Sequence, residues 1–239
     1  MARTLLKAEW RKLMMANYVI DPSVLQPYLP YGTELDFFED KCYVSLVGFI
    51  FLNTRLLGIK FPFHTNFEEV NLRFYVTYKG EEGVKRGVVF IKEIVSKHML
   101  AIVANNLYHE KYERMPMRNQ WIDSAENHSV RYEWKKGKWH SMSMTASHEK
   151  TVILSGSEEE FITEHYWGYN MVNKNLSTEY AVEHPRWSLY QPIDHKIDVD
   201  FGMTYGADFK FLNDLSPASV FLADGSGVII KEGFRLTNY

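Results

Sequence analysis

Cysteine is almost missing from this chain: Cys42 is the single thiol in 239 residues. No internal disulfide can form, so the reducing cytoplasm is the expected compartment. Cys42 opens the apolar stretch Cys-Tyr-Val-Ser-Leu-Val-Gly-Phe-Ile-Phe, which predicts a packed thiol in place of a nucleophile. Long hydrophobic runs are missing too. The longest uncharged one, Tyr43 to Leu52, contains Ser45 and Gly48 and is far too short to span a bilayer, so no membrane partner is expected. The opening Met-Ala-Arg-Thr-Leu-Leu-Lys-Ala-Glu-Trp lacks the apolar core of a secretion signal. Nor is there an excess of positive charge. With 27 Lys plus Arg against 30 Asp plus Glu, the net charge of -3 gives no general attraction for nucleic acid. The local cluster Lys135, Lys136 and Lys138 around Gly137 reads as a soluble hairpin tip.

The familiar catalytic and cofactor motifs are absent as well. Nine histidines occur, but none stand in a His-x-x-x-His or His-Glu-x-x-His run, so neither a metal nor a cofactor is expected. His64 and His109 flank segments of interest as pocket or loop residues, while His98, His128, His140, His148, His165, His184 and His195 form no pattern in sequence. Gly202 to Gly206 has the wrong spacing for a phosphate loop, and no Gly-x-Ser-x-Gly occurs.

What the chain has in quantity is aromatic and β-forming residues. Aromatics make up 15% and hydrophobic residues 46%, enough for a large core built on pleated surfaces. No repeat or flexible linker divides the chain, so residues 1–239 are expected to form one domain. Asp21-Pro22 through Pro30 predicts a short capped helix. Strands are predicted over 33–38, 41–54, 86–95, 113–123, 127–135, 138–148, 166–172, 178–183 and 187–199, with two more, 219–223 and 227–231, meeting at Asp224-Gly225. Helices are predicted from Ser96 to about Asn106, from the capping box at Ser157 to about His165, and around Thr204 to Leu212. So many antiparallel strands close into a barrel or stack as a sandwich.

Chemistry concentrates in Asn66 to Val76. Strand alternation puts Glu69, Asn71, Arg73 and Tyr75 on one face and Val70, Leu72, Phe74 and Val76 on the other. A carboxylate, an amide and a guanidinium on one wall can hold a small polar ligand if that wall faces an interior. Two lysines are candidate nucleophiles. Lys92 interrupts the run Val-Val-Phe-Ile-Lys-Glu-Ile-Val on the face of Val88, Phe90 and Ile94, where burial would lower its pKa unless it reaches out to water. Lys111 lies in Asn105-Asn-Leu-Tyr-His-Glu-Lys-Tyr112, where a helix end passes into a strand, and Asn106 and Tyr108 join it there as ligand-binding candidates.

Several separated blocks occur in order over most of the chain: Asp21-Pro with Leu25 and Tyr28-Leu-Pro30, Tyr43-Val-Ser-Leu-Val-Gly-Phe49, Asn53-Thr-Arg55, Phe67-Glu-Glu-Val-Asn-Leu-Arg73 and Gly87-Val-Val-Phe90. In these the sequence resembles the YqjF-like bacterial family, a domain of unknown function (DUF2071) that is itself distantly similar to the acetoacetate decarboxylase superfamily. The resemblance implies a mainly β, α+β fold: a closed, cone-like antiparallel β-barrel of acetoacetate decarboxylase type with a few short helices and a central pocket. The decarboxylase uses a Schiff-base lysine beside a second lysine. Its Tyr-x-Glu strand is similar to Phe67-Glu68-Glu69, which implies Glu69 as the pocket carboxylate. Its Pro-Lys-Lys is similar to Glu110-Lys111-Tyr112, which implies Lys111 as the catalytic nucleophile, with Tyr112 where the activating lysine should stand. The decarboxylase's pocket arginine is missing, with Val19 or Ile20 near its place.

Three functions follow as expectations. The first is a barrel that binds a small carboxylate- or carbonyl-bearing molecule through Glu69, Asn71, Arg73, Asn106 and Tyr108. The second is a lysine-imine lyase or decarboxylase-like enzyme acting on a keto acid, with Lys111 as nucleophile and Glu69 moving a proton. The third is a structural or homo-oligomeric protein in which Glu69 and Arg73 pair only with each other.

Overall fold

Alternation along long strands decides this architecture. The computed structural model describes residues 3–81, 83–97 and 111–237. Its chain order is β1 (Thr4–Ile20), β2 (Thr33–Leu35), β3 (Cys42–Leu56), β4 (Phe67–Gly80), β5 (Gly83–Val95), β6 (Tyr112–Arg114), β7 (Met117–Asp123), β8 (Asn127–Lys136), β9 (Lys138–Val152), α1 (Glu158–Thr163), β10 (Trp167–Asn173), β11 (Leu176–Glu183), β12 (Ser188–Asp198), α2 (Phe201–Tyr205), a 3-10 segment (Ala207–Asp214), β13 (Ser219–Lys231) and β14 (Phe234–Thr237). The fold is mainly β, with few and short helices. The hydrogen-bonded order runs β14-β11-β10-β5-β4-β3-β1-β13-β12-β9-β8-β7. β11 also pairs β13 through Val182 with Ile230 and Glu183 with Ile229, so the path β1-β3-β4-β5-β10-β11-β13 returns to β1. Not all of it is antiparallel: β10 pairs β5 in parallel, as does β6.

Each face of this ring of strands has its own cluster. On β4, Val70, Leu72, Phe74 and Val76 enter one core, with Val44 and Leu46 of β3 and Met14 and Tyr18 of β1. The β8-β9 meander covers that core through Val130, Tyr132, Trp134 and Met142, and α2 with the following 3-10 segment adds Phe201, Phe209 and Leu212. The contact is close. A Cβ on Gly48 would lie 2.6 Å from the Tyr132 ring, so only glycine lets β3 and β8 approach here. The opposite face carries Tyr75 of β4, Val47 and Phe49 of β3, and Phe161 and Ile162 of α1.

Several sequence expectations are corrected by tertiary pairing. The helix expected from Asp21 is two 3-10 turns, Pro22–Val24 and Gln26–Tyr28, because Pro27 cannot donate the next helical bond. The strand expected over 113–123 breaks around Pro116, which lacks an N–H, into β6 and β7. Asp224-Gly225 is not a hairpin turn but a kink within the single strand β13. There Gly225, at φ 85°, lies opposite Arg11 of the long partner β1, itself kinked at Lys12 with φ 60°. The helix expected over 204–212 divides at Gly206, whose φ is 116°, into α2 and the 3-10 segment. The capping box forms in part: the Ser157 hydroxyl accepts from the Glu160 N–H at 3.2 Å, but the Glu160 carboxylate accepts from the Gly156 N–H at 2.6 Å, while the Ser157 N–H donates to the Leu154 carbonyl. The helix expected from Ser96 to Asn106 falls almost wholly outside the described residues. No helix among the described residues is long and apolar enough to cross a membrane.

Cys42 is buried, and burial, with Asp21 and Asp36 adding to it, pushes its thiol up to about 11. A thiol held protonated in this way is a poor nucleophile.

Candidate small-molecule site

The face of β4 opposite the apolar core borders a cavity of about 130 Å³. That is well above the roughly 10–15 Å³ that one water requires. Leu6, Trp10, Phe49, Phe51 and Phe67 supply much of its apolar wall, and Glu69, Asn71 and Arg73 are the polar residues that β4 contributes. β5 adds Glu93, the register partner of Asn71. Thr163, His165, His184 and Trp187 come from the segments around α1 and after β11.

Polar partners order these groups. Glu69 is 2% exposed and accepts hydrogen bonds from Asn71 Nδ2 at 2.9 Å and from the Tyr112 hydroxyl at 3.0 Å. Asn71 Oδ1 is buried and makes no hydrogen bond. Among the described residues Arg73 is the one arginine in the cavity wall. Its Nη2 donates to the Ile162 carbonyl at 3.3 Å and its guanidinium lies 5.7 Å from the Tyr75 ring centroid, yet Nε is buried without a hydrogen bond. No carboxylate among the described residues pairs with it. Glu69 and Arg73 stand four residues apart on one strand, roughly 13 Å along it, so they are not built as a mutual ion pair.

His165 brings an acceptor. It is buried, and burial pushes its pKa down to about 4, against the opposing pull of Asp36. The ring is therefore neutral near pH 7. Its Nε2 lies 3.1 Å from Asp36 Oδ2, which assigns the proton to Nε2 and leaves Nδ1 a bare acceptor with no hydrogen bond. Burial also raises Asp36, but His165 and Arg86 outweigh it and hold the carboxyl below its usual value; Arg86 Nε is 2.7 Å away. His184 is lowered by burial and stacks on Trp187 at 4.3 Å.

The two candidate lysines lie elsewhere. Glu93 pairs in register with Tyr112. Tyr112 therefore shares the cavity face and Lys111, one residue earlier, takes the other. Its ammonium lies 5.5 Å from the centroid of Tyr28, a residue packed on the opposite core. Lys92 is displaced by a bulge. The β4-β5 register moves from Leu72–Lys92 to Arg73–Phe90, so Ile91 is an extra residue and the alternation changes phase. Val88, Phe90 and Glu93 line the cavity, whereas Lys92 donates to the Thr204 carbonyl at 2.7 Å and pairs with Glu113 at 2.7 Å. Burial lowers the Lys92 pKa, partly offset by Glu113. Among the described residues no lysine lines the cavity. Asn106, Tyr108 and His109 lie outside the described residues. His64 is in an exposed loop, its Nδ1 2.9 Å from the Pro62 carbonyl. Trp10, His165 and His184 went unread in sequence because each reaches the cavity from a different, distant segment; a buried histidine beside β10 has no local signature.

Comparison with known proteins agrees with this architecture. Residues 7–227 match the family DUF2071, described as "Uncharacterized conserved protein". A curated relative, "Uncharacterized protein YqjF" of Bacillus subtilis (strain 168), is 27% identical over 199 residues, covering 82% of this chain and 79% of its own. Among solved structures, the enduracididine biosynthesis enzyme MppR complexed with pyruvate is similar at a TM-score of 0.68 and 13% identity, over 100% of this chain and 93% of that one. Acetoacetate decarboxylase from Legionella pneumophila is similar at 0.66 and 12% identity, over 99% and 89%. At such identities the likeness is one of fold.

Proposed function

The chain belongs to the DUF2071 family, and from that premise we propose that it binds a small organic molecule bearing a carboxylate, with or without a carbonyl, in the cavity beside β4. The ring of strands acts as a closed, cone-like barrel around that ligand, within one domain spanning residues 1–239 of a cytoplasmic protein. Arg73 carries the proposal. A half-buried arginine whose Nε is shielded from water and unbonded, with no carboxylate partner among the described residues, supplies what a carboxylate ligand needs. Asn71 Oδ1 and the neutral His165 ring are open acceptors for a ligand that also carries a hydroxyl or N–H, and the aromatic wall encloses its apolar part. Glu69, fixed by Asn71 and Tyr112, is the carboxylate placed to accept a proton or hydrogen bond.

Binding without an imine fits the side chains better than lysine chemistry does, since Lys111 and Lys92 face the other core. The test is a thermal-shift panel of small monocarboxylates, 2-oxo acids and matched neutral amides on the full chain, with pyruvate as the first probe. Carboxylates should raise the melting temperature where amides do not, and Arg73→Met should abolish the shift while keeping the fold. Equal shifts from amides, or shifts that survive in Arg73→Met, would overturn the proposal.

A further inference from the structure

Away from the cavity, the β7-β8-β9 meander gathers three groups that sequence spacing keeps apart. The turn after β7 sets Asp123 opposite His128 in register. His148 lies two residues beyond Ala146, the β9 partner of His128. The carboxylate oxygen of Asp123, Nδ1 of His128 and Nε2 of His148 all fall within 4.8 Å of one another. Asp123 Oδ1 is 2.8 Å from His128 Nδ1 and 4.0 Å from His148 Nε2.

The second observation is at His128. Its side chain is 9% exposed, and its buried Nδ1 makes no hydrogen bond although the carboxylate is so close. The ring is held edge-on to Tyr190 at 4.6 Å and to His148 at 4.1 Å, so it cannot turn freely toward another partner. A carboxylate oxygen and a ring nitrogen in contact without hydrogen-bond alignment are both satisfied when their lone pairs bind one cation. The geometry points to a divalent transition-metal site of the zinc class, with Asp123, His128 and His148 as its three protein ligands.

Two imidazoles and one carboxylate suit a borderline ion such as Zn2+, and disfavour Mg2+ and Ca2+, which select oxygen ligands. With bonds of about 2.0–2.2 Å, tetrahedral ligand atoms lie roughly 3.3–3.5 Å apart. The distances of 2.8 and 4.0 Å straddle that value. Rotation of Asp123 and His148, which are both exposed, closes the difference, with His148 Nε2 giving up its 2.9 Å contact to the Ser124 carbonyl. The fourth position is open to water or to an external ligand. None of the three residues lines the cavity, so this site is separate from the one beside β4 and would clip together the adjoining ends of β7, β8 and β9.

The test uses the untagged full chain, stripped with chelator and titrated with Zn2+ by calorimetry, with Co2+ as a visible-absorption probe. One equivalent of Zn2+ is expected to bind and to raise the melting temperature, Mg2+ is expected to do neither, and bound Co2+ should show ligand-field bands. His148→Ala and Asp123→Asn, both at exposed positions, should each weaken Zn2+ binding at least tenfold and remove the Co2+ bands while the far-UV spectrum is unchanged. Absence of a stoichiometric equivalent, an equivalent indifferent to both substitutions, or an equal response to Mg2+ would overturn the assignment.

Discussion

The two faces of β4 are built by opposite rules. On one, Val70, Leu72, Phe74 and Val76 are fully buried in a filled core under the meander. On the other, Glu69 and Asn71 are just as withdrawn from water, yet they border empty space together with a guanidinium whose Nε has no hydrogen bond. Burial alone therefore does not distinguish the two faces. What separates the faces is what they border: apolar side chains in a packed core on one, and on the other a cavity into which a carboxylate, an amide and a guanidinium project. The outer face holds the fold together, while the inner face keeps polar groups in an apolar setting at a cost that a ligand can offset.

The largest effect that would sharpen this contrast is on the outer face. Leu72→Ala removes a fully buried side chain and should cost about 2–5 kcal/mol in denaturant unfolding, with carboxylate binding at saturating protein stability unchanged. A loss below 1 kcal/mol would show that the outer core is not close-packed there. On the inner face, Arg73→Met should do the reverse. Affinity for a small carboxylate should fall about 10- to 100-fold, the worth of charge-assisted hydrogen bonds, while stability changes by no more than about 1 kcal/mol. A large loss of stability would make Arg73 a structural residue and erase the contrast.

Acid offers a third measurement. His165 is near 4 in the folded protein and near 6.5 when unfolded, so between those values only the unfolded chain takes up its proton. The stability this group confers is fully present above pH 6.5 and is lost as pH falls toward 4, amounting to about 3 kcal/mol. Melting temperatures of the native chain and His165→Gln should converge over that interval; parallel curves would mean that His165 titrates normally. A smaller effect is expected from Tyr112→Phe, which deletes one hydrogen bond to Glu69 and should cost about 0.5–1.5 kcal/mol of stability by chemical denaturation. The smallest is Lys111→Ala, whose ammonium lies over Tyr28. It should leave carboxylate affinity unchanged, and borohydride treatment of the native chain with 2-oxo acids should add no mass to any lysine.

Much of this was legible in sequence where one strand suffices to decide it. The alternation of Asn66 to Val76 separates the two faces of β4 without knowledge of its neighbours, and the blocks from Asp21 to Phe90 lead to the family. Features set by a partner strand were not. Lys92 faces away from the cavity because Ile91 bulges against β4, and nothing local in Val-Val-Phe-Ile-Lys marks that bulge. Asp224-Gly225 has the composition of a turn, but an unbroken β1 opposite it makes it a kink. Lys111 and Tyr112 exchange roles by one step of alternation, which depends on the parallel pairing of β6 with β5. His165, like the cluster of Asp123, His128 and His148, exists only through contacts between segments far apart in the chain.

Carboxylate binding through Arg73 on the cavity face of β4 is open to a single decisive measurement. A crystal structure of the full chain soaked with a small 2-oxo acid tests it most directly. The ligand is expected in the cavity, its carboxylate within hydrogen-bond distance of Arg73 Nε and with no covalent bond to any lysine. A ligand joined to Lys111 or Lys92, or a filled cavity in which Arg73 has turned to a protein carboxylate, would contradict it.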